Sequence, residues 1–301
     1  MINLKNKNCF ITGAANGIGK SFALALAREG MNLFITDIDI ENLERVKNEI
    51  EDLGATVYSG LCDVTRIDHF KSISNEFFSK LGHLDLLLNN AGIAIGGSIL
   101  DITLDDWKQV LDVNLWSVIH SLEVFLPKML ERRSGHIVNV ASGAGIVGST
   151  EPLPYVTSKF AVVGLSETLF GQLNSYGIKV SVIVPTYIRT TIFDKAKIKY
   201  SKELINDVGQ EKLNEISRDL LKDMQSKAML PDRAVKKYIK GIKEDQLYIY
   251  DTKAMLGILT LKGTNPHQYE TFLKENSKNS EKTTRAHYLK YGIDIEKYRI
   301  G

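Results

Sequence analysis

Asn8-Cys9-Phe10-Ile11-Thr12-Gly13-Ala14-Ala15-Asn16-Gly17-Ile18-Gly19 is the stretch that decides the fold of this chain. Residues 8–12 form a short apolar, β-favouring run that stops at a glycine, which is the pattern of a buried strand. Apolar residues at helical spacing follow Gly19 at once, as Phe22, Leu24, Ala25 and Leu26. The octet 12–19 is therefore a strand-to-helix turn. Glycines at such a turn let the backbone approach a bound group closely, and the helix start offers unbonded N–H groups with positive partial charge. The combination suits a pyrophosphate. Any tight turn also selects glycine, so the context of the octet has to carry the reading.

Working outward, the chain from residue 7 to about 184 alternates short β-rich runs with longer helical patterns. The expected strands are 8–12, 31–36, 56–59, 84–88, 135–140 and 179–184, with helical spacing between them, as in Leu43, Val46, Ile50 and Leu53. Pro231 suits an early helix position in a helix through Ile242, and residues 247–250 read as a seventh strand. The expected fold class is α/β: a Rossmann-type doubly wound parallel sheet of about seven strands with helices on both faces, whose ligands lie beyond the strands' carboxyl ends. Residues 193–229 are charged, hold one glycine, and carry Leu204, Val208, Leu213, Ile216, Leu220 and Met224 at amphipathic spacing, which predicts one or two helices. Their role is either packing or a helical lid over the site. The division expected is residues 1–250 as a cofactor-binding and catalytic domain with a lid at about 191–230, then 251–301 as a C-terminal extension without an assigned role. That extension begins apolar (Met255, Leu256, Ile258, Leu259, Leu261) and becomes lysine-rich with scattered tyrosines. It reads as a docking segment.

Composition excludes several classes. The 38 basic and 36 acidic side chains are interspersed, with a net charge of +2, so nothing calls for nucleic acid. Two cysteines, Cys9 and Cys62, and the lack of a leader-like start point to a reduced, cytoplasmic protein. The apolar patch at 254–261 is far short of the roughly 20 residues of a spanning helix, so no transmembrane segment is expected. The six histidines are dispersed, with no close ligand pair, and no metal is expected.

Eighteen residues beyond Gly19 the second strand ends in Asp37. A carboxylate there accepts hydrogen bonds from ribose hydroxyls and repels a 2′-phosphate. Neither Asn16 nor Ile38 supplies a compensating cation, so NAD(H) is expected over NADP(H). The fourth strand runs into Asn89-Asn90-Ala91-Gly92, a polar turn of small residues. Strand five ends at Ser142, and Tyr155 and Lys159 follow on one face of a helix at i and i+4. A tyrosine with its ordinary pKa of about 10 is a poor base at neutral pH, but a lysine cation and an oxidised nicotinamide beside it would together supply the roughly 3 to 4 kcal/mol needed to shift it by two or three units. Ser142 can donate a hydrogen bond to a reacting oxygen. Each residue alone also has a structural reading, as a helix start, a surface lysine or a turn serine.

Together, in this order, the pieces resemble the short-chain dehydrogenase/reductase family over roughly residues 5–250: TGAANGIG at 12–19, Asp37, Asp63-Val64, NNAG at 89–92, Asn114, Ser142 and YVTSK at 155–159. The resemblance implies a catalytic set of Asn114, Ser142, Tyr155 and Lys159, with Asn114 holding a water that relays protons to Lys159. It implies a cofactor set of Gly13, Asn16, Gly17, Ile18, Gly19, Asp37, Asp63, Val64, Asn90, Ala91, Gly92, Tyr155, Lys159, Pro185, Ile188 and Thr190. Within that set Asp63 and Val64 would line the adenine, Asn90 would face the adenosine ribose, and Lys159 would bond the nicotinamide ribose. It also implies a homodimer or homotetramer built on the helices after strands four and five. One departure stands out: where the family commonly has Pro-Gly, Pro185 is followed by Thr186, and a β-branched residue there resists positive φ. Around the expected nicotinamide position stand Ile93, Ile95, Ile146, Val147, Leu153, Tyr187 and Phe193, with Arg189 the one formal charge. The expected reaction is therefore NAD(H)-dependent interconversion of an apolar secondary alcohol and a ketone. Two alternatives stand beside it, a 3-oxoacyl-thioester reductase and a non-catalytic NAD-binding regulator.

Overall fold

The computed structural model describes residues 3–148 and 152–298. Nine strands alternate with helices: β1 Asn8–Thr12, β2 Asn32–Asp37, β3 Val57–Leu61, β4 Leu86–Asn89, β5 Ile95–Gly96, β6 Gly135–Val140, β7 Ile178–Val184, β8 Lys197–Ile198 and β9 Tyr248–Tyr250. The helices are α1 Gly17–Arg28, α2 Ile40–Asp52, α3 Ile67–Leu81, α4 Leu104–Leu111, α5 Ser117–Arg132, α6 Leu153–Leu173, α7 Thr191–Asp194, α8 Lys202–Val208, α9 Gln210–Ser226, α10 Pro231–Lys243, α11 Ala254–Thr264 and α12 Pro266–Leu289.

Seven strands form one parallel sheet in the order β3-β2-β1-β4-β6-β7-β9. The order reverses between β1 and β4, and a crevice opens there at the strands' carboxyl ends. Period-two alternation along β1 explains why the sheet is covered twice. Cys9 and Ile11 face the core beneath α1, α2 and α10, while Phe10 faces the opposite core with Phe34, Phe70, Phe77 and Phe125. Phe10 packs against all four of those rings, edge-on against Phe77, at centroid distances of 4.6 to 6.5 Å. Each buried aromatic contributes on the order of 1.5 to 3 kcal/mol, so this face anchors the sheet.

Two expectations are refined. After the short α7, the charged segment forms two helices, α8 and α9, because its single glycine, Gly209 at φ +88°, breaks what would otherwise be one amphipathic helix. The segment also contributes β8, which pairs in parallel with β5 in a separate two-stranded sheet. Strands two residues long carry no periodicity and were not foreseen.

The extension packs on its own chain. Met255, Ile258 and Leu259 of α11 join the core on the Phe10 side. At the other end, Tyr288, Tyr291, Ile293, Ile295 and Tyr298 form a third apolar cluster with Leu204, Leu213 and Ile216 of α8 and α9. Among the described residues, no helix is long and apolar enough to cross a membrane.

Candidate active site at the strand-order reversal

The glycine turn is held by its neighbours rather than by itself. Gly13 and Gly17 have φ of +67° and +54°, and a Cβ on Gly19 would stand 2.0 Å from the Gly13 carbonyl oxygen. No other residue permits α1 to start this close to β1. The Asn90 side-chain amide donates to the carbonyls of Thr12 and Gly13 at 3.0 and 2.9 Å, and Thr12 Oγ1 accepts from the N–H groups of Asn90 and Ala91 at 3.0 and 3.1 Å. Asn90 thus spends its amide on tying the turn after β4 to the glycine turn. Helix α1 has no side-chain cap and no acidic residue in its first turn, whereas α2 has the Asp39 cap and Glu41. The start of α1 therefore keeps its positive partial charge for an anion.

Asp37 lies at the end of β2. Its Oδ2 accepts from Ala15 N–H and its Oδ1 from Asp39 N–H, both at 3.0 Å. It fixes the turn while its side chain stays half-buried rather than enclosed. The nearby cation that local sequence did not reveal arrives from the charged segment, for Lys195 pairs with Asp39 at 3.1 Å. Hydrogen bonds from Asn42 and Lys195 hold the Asp39 carboxyl below its usual range. Farther along the crevice, Asp63 Oδ1 accepts from Thr65 N–H and Oγ1 at 3.0 and 2.7 Å, and the Val64 carbonyl lies 3.2 Å from His120 Nδ1.

Across the reversal, Tyr155 and Lys159 project from the first turns of α6, with the Lys159 ammonium 5.5 Å from the Tyr155 ring centroid. Lys159 is 3% exposed and donates to the Val140 carbonyl at 3.0 Å. Burial pulls its pKa down to about 8, which leaves it mostly a cation at neutral pH. Gly145 lets the loop after β6 close on α6, since a Cβ there would meet the Lys159 carbonyl at 2.6 Å. Ser142 Oγ accepts from Ala144 N–H at 3.1 Å. That bond orients the hydroxyl and leaves its own proton free to donate.

Asn114 sits in a π-helical turn, Asp112–Trp116, between α4 and α5. Such widened turns recur at functional sites. Its side chain exchanges two bonds with the Ile93 backbone, at 2.8 and 3.0 Å, and donates to Ser158 Oγ, which in turn donates to the Tyr155 carbonyl at 2.7 Å. Asn114 therefore ties the turn after β4 to the start of α6. Gly92 lies between them, and a Cβ there would stand 3.5 Å from both Asn114 Oδ1 and Lys159 Nζ. Sequence reasoning found Asn114 but not Ser158, which lies inside the YVTSK run as an unremarkable helix serine.

The segment after β7 completes the frame. The Pro185 carbonyl accepts from Gly143 N–H at 2.7 Å. Thr186 does not take positive φ; its N–H and Oγ1 both donate to Asp251 Oδ2, at 3.0 and 2.9 Å. Ile188 is buried and bridges to Met229, so the charged segment returns to the site at its far end. Thr190 faces Gly17 across the crevice, 3.1 Å from where a Cβ on Gly17 would be. Of the expected apolar wall, Ile95, Ile146 and Val147 are buried, Ile93 is half-buried, and Leu153, Tyr187 and Arg189 are exposed. The Phe193 side chain lies outside the described residues. Away from this site, His287 of α12 comes together with Asp219 and Asp223 of α9, their ligand atoms all within 4.8 Å of one another. His287 Nε2 lies 3.1 Å from the Ile216 carbonyl, a packing bond between the two helices.

The family model for short chain dehydrogenases matches residues 7–201, almost two thirds of the chain. This protein is a short-chain dehydrogenase/reductase. Within that family it is similar to a 3-oxoacyl-[acyl-carrier-protein] reductase of Thermotoga maritima, 36% identical over 194 residues, which are 64% of this chain and 79% of the relative. It is also similar to epidermal retinol dehydrogenase 2 of Mus musculus, 29% identical over 268 residues, or 88% of this chain and 80% of the relative. A short-chain dehydrogenase/reductase from Burkholderia phymatum, solved with NAD, matches with a TM-score of 0.79 and 30% identity over 89% of this chain and 96% of that one. Solved neighbours carry NAD in some cases and NADP in others.

Proposed function

We propose that this oxidoreductase interconverts a ketone and a secondary alcohol, with Tyr155 exchanging the proton at the reacting oxygen. The observation that carries the reading is the buried Lys159 cation 5.5 Å from the Tyr155 ring, beside a Ser142 hydroxyl oriented by Ala144. A bound nicotinamide dinucleotide supplies or accepts the hydride. The residues present fit it: a glycine cradle that a Cβ on residue 19 would fill, an uncapped α1 start for the pyrophosphate, and Asp37 for the ribose.

In the reducing direction Ser142 donates a hydrogen bond to the carbonyl oxygen, which gains negative charge as its carbon is reduced. Tyr155 gives that oxygen its proton and is left as a phenolate, stabilised by the Lys159 field. Lys159 is held in place by the Val140 carbonyl. Asn114 keeps α6 in register through Ser158 and is a positioning residue.

For the substrate, the 3-oxoacyl-thioester reading has the stronger support, because the relatives this chain resembles at 33 to 36% identity include reductases of that kind. The apolar alcohol reading ranked first from sequence is supported by the buried Ile95, Ile146 and Val147 and by the retinol dehydrogenase relative, whose match reaches farther along this chain. NAD(H) is the cofactor favoured by Asp37, with Asp39 two residues on adding negative charge against a 2′-phosphate.

The deciding experiment is the absorbance of reduced nicotinamide with purified protein, NADH or NADPH, and two panels: 3-oxoacyl thioesters of increasing chain length, and free apolar ketones. NADH oxidation with one panel at least tenfold faster than with the other is expected and assigns the class. Tight NADH binding without turnover on either panel would make the protein a non-catalytic binder.

A further inference from the structure

The departure from Pro-Gly and the unassigned extension meet at one residue. Asp251 follows β9, is 2% exposed, and directs Oδ2 at Thr186, while its Oδ1 is buried without a hydrogen-bond partner among the described residues. The Tyr238 hydroxyl donates to the same Oδ2 at 3.3 Å, and the Lys237 ammonium donates to the Asp251 carbonyl. Burying a carboxylate is costly unless it is hydrogen-bonded or paired. Here its bonds hold Thr186, next to Pro185, whose carbonyl receives the Gly143 N–H at 2.7 Å. Gly143 is the neighbour of Ser142.

Two further contacts from the same stretch fall on the same loop. Met255, 6% exposed, places its sulfur and terminal methyl 3.5 Å from where a Cβ on Gly143 would stand. Lys262 donates to the Ile146 carbonyl at 3.1 Å, with its ammonium also over the Phe160 and Tyr269 rings at 5.0 and 5.7 Å.

We infer that Asp251, Met255 and Lys262 are positioning residues for the Ser142 loop, so that the start of the C-terminal extension is part of the catalytic frame. Asp251 grips the loop through Thr186 and Pro185, Met255 packs beside Gly143, and Lys262 closes its far end. The Thr186 hydroxyl, absent from a Pro-Gly turn, is the second donor that Asp251 uses. The inference rests on Ser142 acting at the reacting oxygen, as proposed above.

The test uses full-length protein carrying D251A, D251N, T186V, M255A or K262M. Two readouts are taken: steady-state kinetics on the substrate the wild type turns over, and amide hydrogen exchange of peptides covering 141–147 and 12–19. For D251A, a fall in kcat of at least tenfold is expected with the NADH dissociation constant within twofold of wild type, and exchange at 141–147 at least tenfold faster with 12–19 unchanged. D251N keeps an acceptor of the same shape and should restore most of both. M255A and K262M should show the same pattern more weakly. Wild-type exchange at 141–147 in D251A, or equal acceleration at 12–19, would overturn the inference. Where D251A does not fold, T186V decides: exchange at 141–147 should rise about threefold, and an unchanged rate refutes the grip. Exchange needs no turnover, so a wild type inactive on every substrate would sink the proposed function and still leave this inference decided.

Discussion

The two sides of the strand-order reversal are built by different means. On the β1 and β2 side, a ligand cradle is made from backbone, and its geometry exists because particular positions are glycine: a Cβ on Gly19 would lie 2.0 Å from the Gly13 oxygen. On the β6 and β7 side, apart from the close approach at Gly145, the loop bearing Ser142 is held by ordinary side chains, with Asp251 reaching Thr186 across 65 residues and Lys262 reaching Ile146 across 116. A backbone cradle leaves its mark in residue type. A frame of side chains leaves none, because aspartate, methionine and lysine are common for many reasons.

If the division of labour is real, the largest effect should come from the chemical side and spare binding. Tyr155→Phe should reduce kcat by at least about a thousandfold, about 4 kcal/mol of transition-state stabilisation. NADH affinity measured by fluorescence should stay within twofold. Substantial residual turnover would remove the phenol from the reaction.

The converse experiment is Gly19→Ala. The added methyl collides with the Gly13 carbonyl and with the Asn90 amide at 2.5 Å, so α1 must shift away from β1. A rise of about a hundredfold in the NADH dissociation constant is expected, on the order of 3 kcal/mol, with kcat at saturating NADH within about threefold. A matching collapse of kcat would show that cradle and catalytic frame are one unit.

The same contrast explains how much was legible in advance. The seven-strand sheet followed from period and punctuation: Phe10 and Ile11 point to opposite cores as alternation requires, and Pro231 opens α10. Tyr155 and Lys159 were legible as a candidate pair because they lie one helical turn apart, whereas Asn114 entered only through the resemblance. The Asn90 amide bonds to Thr12 and Gly13 could not be read in advance, since they are a tertiary fact. Lys195 was missed because it reaches Asp39 across 156 residues, and Asp251 because a carboxylate after an edge strand reads as a solvated turn. Thr186 belongs here too: the β-branched residue that looked ill-suited to a Pro-Gly turn keeps negative φ, and its hydroxyl has a partner in the extension.

Lys159 gives the contrast a pH axis. Its folded pKa of about 8 lies below the unfolded value near 10.5, so between those limits the unfolded chain binds more protons and this group's contribution to stability rises with pH. Below pH 8 the buried cation costs about 3 kcal/mol. Lys159→Met removes that cost together with the bond to Val140, worth about 1 kcal/mol. The variant should be inactive yet more stable than wild type by about 2 kcal/mol at pH 7, with the gain largely gone by about pH 10. Cys62, pushed up to about 12 by burial, ionises in this range only in the unfolded chain, and does so equally in both proteins. Denaturant titrations at the two pH values check this, and a gain independent of pH would mean that Lys159 is not the group responsible.

The smallest effect tests whether the cradle side also sets cofactor choice. Asp37 does two things: its oxygens accept from Ala15 and Asp39 N–H groups, each at 3.0 Å, and it carries negative charge. Replacing it with serine would remove both, leaving any loss of affinity ambiguous. Asp37→Asn keeps an acceptor for one of the two backbone N–H groups, so it removes the charge at the cost of one bond rather than both. With the turn largely intact, NADH should weaken about threefold while NADPH strengthens relative to it, for a combined change in preference of about tenfold, or 1.4 kcal/mol. Because Asp39 stays charged and occupied by Lys195, a complete reversal is not expected. If the ratio of kcat/KM for NADH and NADPH does not move, the Asp37 charge plays no part in selecting the cofactor. The carboxylate would then serve the glycine turn alone, and selectivity would have to come from Asp39 and the Lys195 contact that the charged segment brings to it.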